Sequence, residues 1–265
     1  MIRYLIITIF SVFLFISSVN AGTDGQLELN NNQPKIVKDC FEPLNRATFS
    51  FNQGLDKAII KPIAKAYRKL PDLVQSGASN AVKNLSSLIT IPNNVLQGDI
   101  KLAFINTGRF ALNTTVGILG FIDVANRTGF PKYEKEDYGQ TLAVWGFGSG
   151  CYLVLPILGP STLRDTAGSF VNVLGGDPWY NMSIHGNNEF LTKKLYIATE
   201  AISGIDFRAN NIESLDNLEK NSLDFYASVR SLYLQDRENK IINDQRGNIE
   251  VIFKNEENWE EVDNN

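Results

Sequence analysis

The stretch CYLVLPILGPSTLRD, residues 151–165, decides how this chain is read. It carries no charge before Arg164. It is too short to cross a bilayer as a helix, which takes about 20 apolar residues. Pro156 and Pro160 also rule out a long straight helix, because proline lacks the N–H and clashes with the preceding turn. Gly146, Gly148 and Gly150 crowd its N-terminal side. A second apolar stretch, 116–124 (VGILGFIDV), lies upstream and is apolar on nearly every side, so it is either deeply buried or faces lipid. Arg109 and Asn113 just before it keep residues 102–124 from forming a clean span. Phe121, Tyr138, Trp145, Phe147 and Tyr152 surround both stretches, and Tyr and Trp suit the boundary between lipid headgroup and tail. Composition leaves two readings open: a globular core with aromatic packing, or a protein lying along a leaflet.

Working outward, the signals are helical. Phe51, Leu55, Ala58 and Ile59 recur at helical spacing, and Pro62 suits a first turn ahead of Ile63, Ala66, Tyr67 and Leu70. Ala78, Val82, Leu85 and Ile89 mark a helix expected to end before Pro92. Asp99 can cap the next, which carries Ala103, Phe104, Ala111 and Leu112. Ser161 is the expected cap of a helix through Val173, with Asp165 placed for the helix dipole. A further helix is predicted over 188–203. Another starts near Asn211, where Leu215, Leu218, Phe225, Val229 and Tyr233 continue one pattern. Strand signals are few and short.

The ends have their own character. Met1-Ile2-Arg3, the apolar core Leu5 to Ile16 and the small residues before Gly22 read as a secretory signal peptide over 1–21. Residues 22–38 read as a flexible polar arm, 39–235 as the helical domain, and 236–265 as an acidic, mobile tail. In an exported chain Cys40 and Cys151 can pair, although spacing alone does not give their distance.

Composition and motif search exclude several chemistries. Of 265 residues 43% are hydrophobic and the formal charge is −4, so there is a core to bury and no basic excess for nucleic acid. One histidine, His185, and two cysteines offer no zinc spacing, so no metal and no cofactor are expected. A nucleophile elbow needs glycine two residues on each side of a serine. Ser161 has Leu163 after it and Ser149 has Phe147 before it. Gly146-Phe-Gly-Ser-Gly lacks the spacing of a dinucleotide fingerprint. Asp137 and Asp165 fit capping or ion-pairing better than an acid/base dyad, and His185 fits a loop. No enzyme activity is expected.

Three segments carry a family resemblance: FEPLNRATFSFNQGLDKAIIKPIAKAYR (41–68), GRFALNTTVGILGFIDVA (108–125) and EDYGQTLAVWGFGSGCYLVLPILGPSTLRD (136–165), followed by Asp177-Pro178. In order and spacing they resemble the MlaA/VacJ family of bacterial outer-membrane lipid-transport proteins, over roughly residues 39–230. The resemblance implies a mostly α fold with few or no strands: a flat helical ring embedded in one membrane leaflet around a central amphipathic channel. It implies an outer-membrane component of intermembrane phospholipid transport, which removes mislocalised phospholipids from the outer leaflet and maintains lipid asymmetry. The implied partners are phospholipids, an outer-membrane porin trimer and a periplasmic lipid-binding protein of the same pathway. It also implies that Gly146, Gly148 and Gly150 hinge a channel-gating hairpin, with Phe121, Tyr152, Leu153, Val154, Leu155, Ile157 and Leu158 lipid-facing or channel-adjacent. Two features depart from the family pattern. The residue after the expected cleavage site is Gly22, not an acylated cysteine, and Cys40 and Cys151 stand where proline is common. The missing lipid keeps a second expectation open, a soluble periplasmic lipid-binding shuttle.

Overall fold

The computed structural model describes residues 37–186 and 192–260. The expected signal peptide, all but the last two residues of the arm, and residues 261–265 of the tail lie outside the described residues.

The chain is mostly helical, with one two-stranded hairpin. Helix α1 (Glu42–Leu55) passes through a π turn at Asp56–Ile60 into α2 (Lys61–Tyr67). Pro62 has no N–H to donate one turn back, and the widened turn lies just before it. Helix α3 (Asp72–Gln97) runs straight through Pro92, against the expectation that it would stop there. It ends at Gly98, whose φ of 87° supplies the left-handed cap. Asp99 then caps α4 (Ile100–Thr115) by accepting from the Leu102 N–H at 2.8 Å. Short helices α5 (Val124–Arg127) and α6 (Tyr138–Val144) follow, capped by Asp123 and Asp137.

Residues 152–162 form an antiparallel hairpin, β1 (Tyr152–Leu155) and β2 (Gly159–Thr162), with Tyr152 opposite Thr162 and Leu155 opposite Gly159. Helix α7 (Leu163–Val171) starts directly from it. Its cap is Thr162 and not the expected Ser161, which belongs to β2, because the Thr162 side chain accepts from the Asp165 N–H. A π turn at Asn172–Gly176 leads to α8 (Pro178–Ile184). Helix α9 spans Lys193–Asn210, later than the expected 188–203, and α10 spans Ile212–Asn221. The pattern expected to run unbroken from Asn211 to Tyr233 is interrupted at Ser222–Asp224, after which α11 runs Phe225–Glu260. The change of composition at residue 236 is therefore not a change of backbone structure. No helix among the described residues is long and apolar enough to cross a membrane.

The packing inverts the usual order. Among the described residues, buried polar and charged side chains outnumber buried apolar ones, while many large aliphatic and aromatic side chains are exposed. Apart from Ala103 and Ala125, the buried apolar side chains fall into two small groups. One is Ala64, Ala209 and Ile212; the other is Tyr152, Val154 and Tyr226 with Phe49 and Tyr233 against them. Helix α3 shows the inversion best. Its buried face is Asn84, Ser87, Thr90, Asn93 and Asn94, at the three- and four-residue spacing where a water-soluble helix places leucines.

Candidate functional site

The stripe on α3 works as a row of hydrogen-bonding posts. Asn84 donates to Thr114 Oγ1 and Asn106 donates to Asn94 Oδ1, which zips α3 to α4. The Thr90 hydroxyl lies 2.8 Å from the Tyr133 hydroxyl and accepts from the Glu136 N–H. Glu136 in turn accepts from Gln97 at 3.0 Å and Gln140 at 2.7 Å. Arg109 is buried, donating to the Pro131 carbonyl and to both oxygens of Asp123, which Asn113 also reaches. Arg109 and Asn113, read in the sequence as obstacles to a membrane span, thus belong to a hydrogen-bonded polar interior.

Beside this interior lies a cavity of about 220 Å³, lined mostly by polar groups from α6, β2, α7 and α11, including Lys135, Tyr138, Ser161 and Asn172, with Ile89 of α3. Its charge is organised by Arg237 of α11. The guanidinium donates to Asp137 at 2.7 and 3.0 Å, to Asp165 at 2.9 Å and to Gln140 Oε1. Tyr233 and Arg164 also donate to Asp165. Burial alone would push both carboxyls up, but Arg237 holds Asp137 and Asp165 below their ordinary range. Burial opposes the charge on Arg237 as well, and the two carboxylates more than offset it. The expectation that these aspartates cap or pair is thereby met, with Asp137 doing both and Asp165 pairing. Arg237, assigned by composition to a mobile tail, is in fact buried in this cluster.

The hairpin sits at one edge of the cavity and is held from outside its own sheet. Asn45 of α1 donates to the Tyr152 carbonyl and accepts from the Val154 N–H, so one amide serves the free edge of β1 as a strand would. Seven residues on, Asn52 donates to the Leu155 carbonyl and accepts from the Ile157 N–H. The Tyr152 N–H donates to the Lys38 carbonyl, and a disulfide joins Cys40 to Cys151, with Cα atoms 5.6 Å apart.

The expected site residues divide along this strand. Of the run expected to be lipid-facing or channel-adjacent, Tyr152 and Val154 turn inward onto Tyr226. A strand alternates its faces, so an unbroken apolar run need not share one environment. Leu153 and Leu155 lie half-buried, and only Ile157 and Leu158 at the tip are largely exposed. Phe121 lies against Gly77 of α3, where an added Cβ would fall 2.2 Å from its ring. Gly146 and Gly150 hold φ of 90° and 68°, values that favour glycine. Gly148 adopts no such angle, and nothing lies within reach of a Cβ there. The sequence reading missed Asn45, Asn52 and the α3 stripe. Their signal was present as asparagines seven apart and as polar residues at helical spacing, normally the mark of a wet face.

Comparison with known proteins places these features in company. The family model for the MlaA lipoprotein matches residues 37–240. An Escherichia coli (strain K12) protein, the intermembrane phospholipid transport system lipoprotein MlaA, is 34% identical over 227 residues, covering 84% of this chain and 82% of that protein. An uncharacterized protein of Rickettsia bellii is 35% identical over 211 residues, covering 79% of each. A solved structure presented as the structural basis for maintenance of bacterial outer membrane lipid asymmetry superposes with a TM-score of 0.67 at 34% identity, covering 77% of this chain and 99% of that one.

Proposed function

The chain belongs to the MlaA lipoprotein family, and from that premise we propose that it is the outer-membrane component of an intermembrane phospholipid transport system that maintains lipid asymmetry. The observation that supports this most is the inverted packing: a polar, charged interior under exposed aliphatic side chains. A protein surrounded by lipid tails on the outside and handling a hydrated headgroup on the inside needs this arrangement. In the finer reading, the helices lie in one leaflet and the headgroup travels through the polar interior while the tails stay in the apolar surround. The Gly146–Gly150 segment lets the hairpin region adjust during passage. A porin trimer flanks the protein, and a periplasmic lipid-binding protein receives the lipid. We assign the chain no bond-breaking step. Its retention rests on the exposed aliphatic surface, since burying apolar area contributes about 25 cal/mol per Å².

The test is a clean deletion in the native bacterium, with outer-leaflet phospholipid measured by its accessibility to an externally added phospholipase. The expected result is accumulation that the intact gene reverses. Unchanged outer-leaflet phospholipid, or recovery of nearly all the protein in a salt-washed soluble periplasmic fraction, overturns the reading.

A further inference from the structure

Among the described residues, those other than glycine with a positive φ are Ile118 at 54°, Leu119 at 56° and Ile157 at 68°. All are large aliphatics, and two are β-branched, the type least tolerant of that region. With Gly120 at 89°, residues 118–120 make three consecutive left-handed steps. Each strained side chain is also exposed: Ile118 by 67%, Leu119 by 73% and Ile157 by 68%, with Leu158 beside it at 78%. In water this arrangement is unfavourable twice over, because backbone strain is stored and apolar surface stays wet.

Two further observations fit an apolar medium. Residues 116–122 and 151–163 contain no charged side chain. Most backbone donors at both tips also find acceptors within the protein. Val116 and Gly117 donate to the Leu112 carbonyl, Leu119 to Thr114, Gly120 to Asn113, Phe121 to Ile118 and Ile122 to Gly117. At the hairpin tip Pro156 has no N–H, Ile157 donates to Asn52 Oδ1 and Leu158 to the Pro156 carbonyl. Irregular backbone is tolerated in hydrocarbon only when its polar groups are paired within the protein.

We propose that residues 116–119 and 156–158 are two acyl-chain wedges, strained tips that insert among the lipid tails of the surrounding leaflet. The proposal deepens the membrane reading given above and rests on it. The wedges loosen tail packing beside the polar interior, where a phospholipid must leave its neighbours.

Leu119→Cys and Leu158→Cys, made singly in the full chain, are labelled with a polarity-sensitive fluorophore and reconstituted into vesicles of phosphatidylethanolamine and phosphatidylglycerol. Lys220→Cys on exposed α10 serves as the aqueous control. At both tips, nitroxide-bearing acyl chains should quench the fluorophore and aqueous iodide should not, with the reverse at Lys220. A second variant combines Ile118→Gly, Leu119→Gly and Ile157→Gly. Glycine accepts positive φ without strain, so the thermal midpoint should hold or rise. Vesicle partition should fall by about tenfold or more as the aliphatic area is lost. Iodide quenching at the tips equal to that at Lys220, in protein still bound to vesicles, overturns the wedges and leaves the membrane reading standing. Undiminished partition of the glycine variant does the same. Failure of the parent chain to associate with vesicles overturns both.

Discussion

At the residue scale, Arg237 is a side chain whose loss should be costly. It is the shared counter-ion of the buried Asp165 of α7 and the half-buried Asp137 that caps α6. Arg237→Met removes the charge and leaves Asp137 and Asp165 facing each other without it. Breaking one partner out of a buried ionic cluster costs about 3–5 kcal/mol, and chemical denaturation in detergent would measure this. The pH dependence follows from the direction of the shifts. Both carboxyls sit below their ordinary value of 3.8 in the folded state. The stability they contribute is therefore fully present above that value and is lost as the pH falls through the lower folded value. Arg237→Met should weaken this acid limb, since the cation that most favours ionisation of both carboxyls is gone. An unchanged acid limb in the variant would show that Arg237 is not the group holding those pKa values down.

At the element scale, the close approach of α6 and α7 depends on glycine facing glycine. A Cβ on Gly168 would lie 2.4 Å from the Gly139 backbone nitrogen, so Gly168→Ala must push the helices apart. The expected cost is about 1–3 kcal/mol, read as a lower denaturation midpoint. Gly148→Ala meets nothing and needs no strained angle, so its midpoint should match the parent. If the 146–150 segment is a hinge, that same variant should slow lipid transfer at unchanged stability; normal transfer would argue for a static linker. Much at this scale was legible in the sequence. The Asp99 cap and the start of α2 near Pro62 followed from local chemistry. The run of α3 through Pro92 did not, because the tertiary partners of Asn93 and Asn94 are invisible to a local rule. The inward turn of Tyr152 and Val154 was hidden for another reason. An unbroken apolar run conceals the period-two alternation that would reveal a strand. Arg237 was missed because its neighbours in sequence are solvated and its partners lie 72 and 100 residues away.

At the scale of the whole molecule, the Cys40–Cys151 bridge closes a loop of 111 residues. It fixes the segment before α1 to the start of the hairpin, so everything from α1 to α6 lies inside that loop. Replacing both cysteines by serine should cost about 2–5 kcal/mol, because the unfolded chain regains the entropy the crosslink removes. Denaturation with and without reductant would measure this, and equal midpoints would show that the side-chain ties from Asn45 and Asn52 already carry the hairpin.

The polar interior under an aliphatic exterior has a consequence for transit. In water, burial of apolar area drives collapse, and here much of that area is left outside the fold. A chain of this kind crossing an aqueous compartment presents other copies with the same sticky surface meant for lipid. Released from detergent into plain buffer, the purified protein should leave the monomer peak in size-exclusion chromatography and return to it when lipid or detergent is restored.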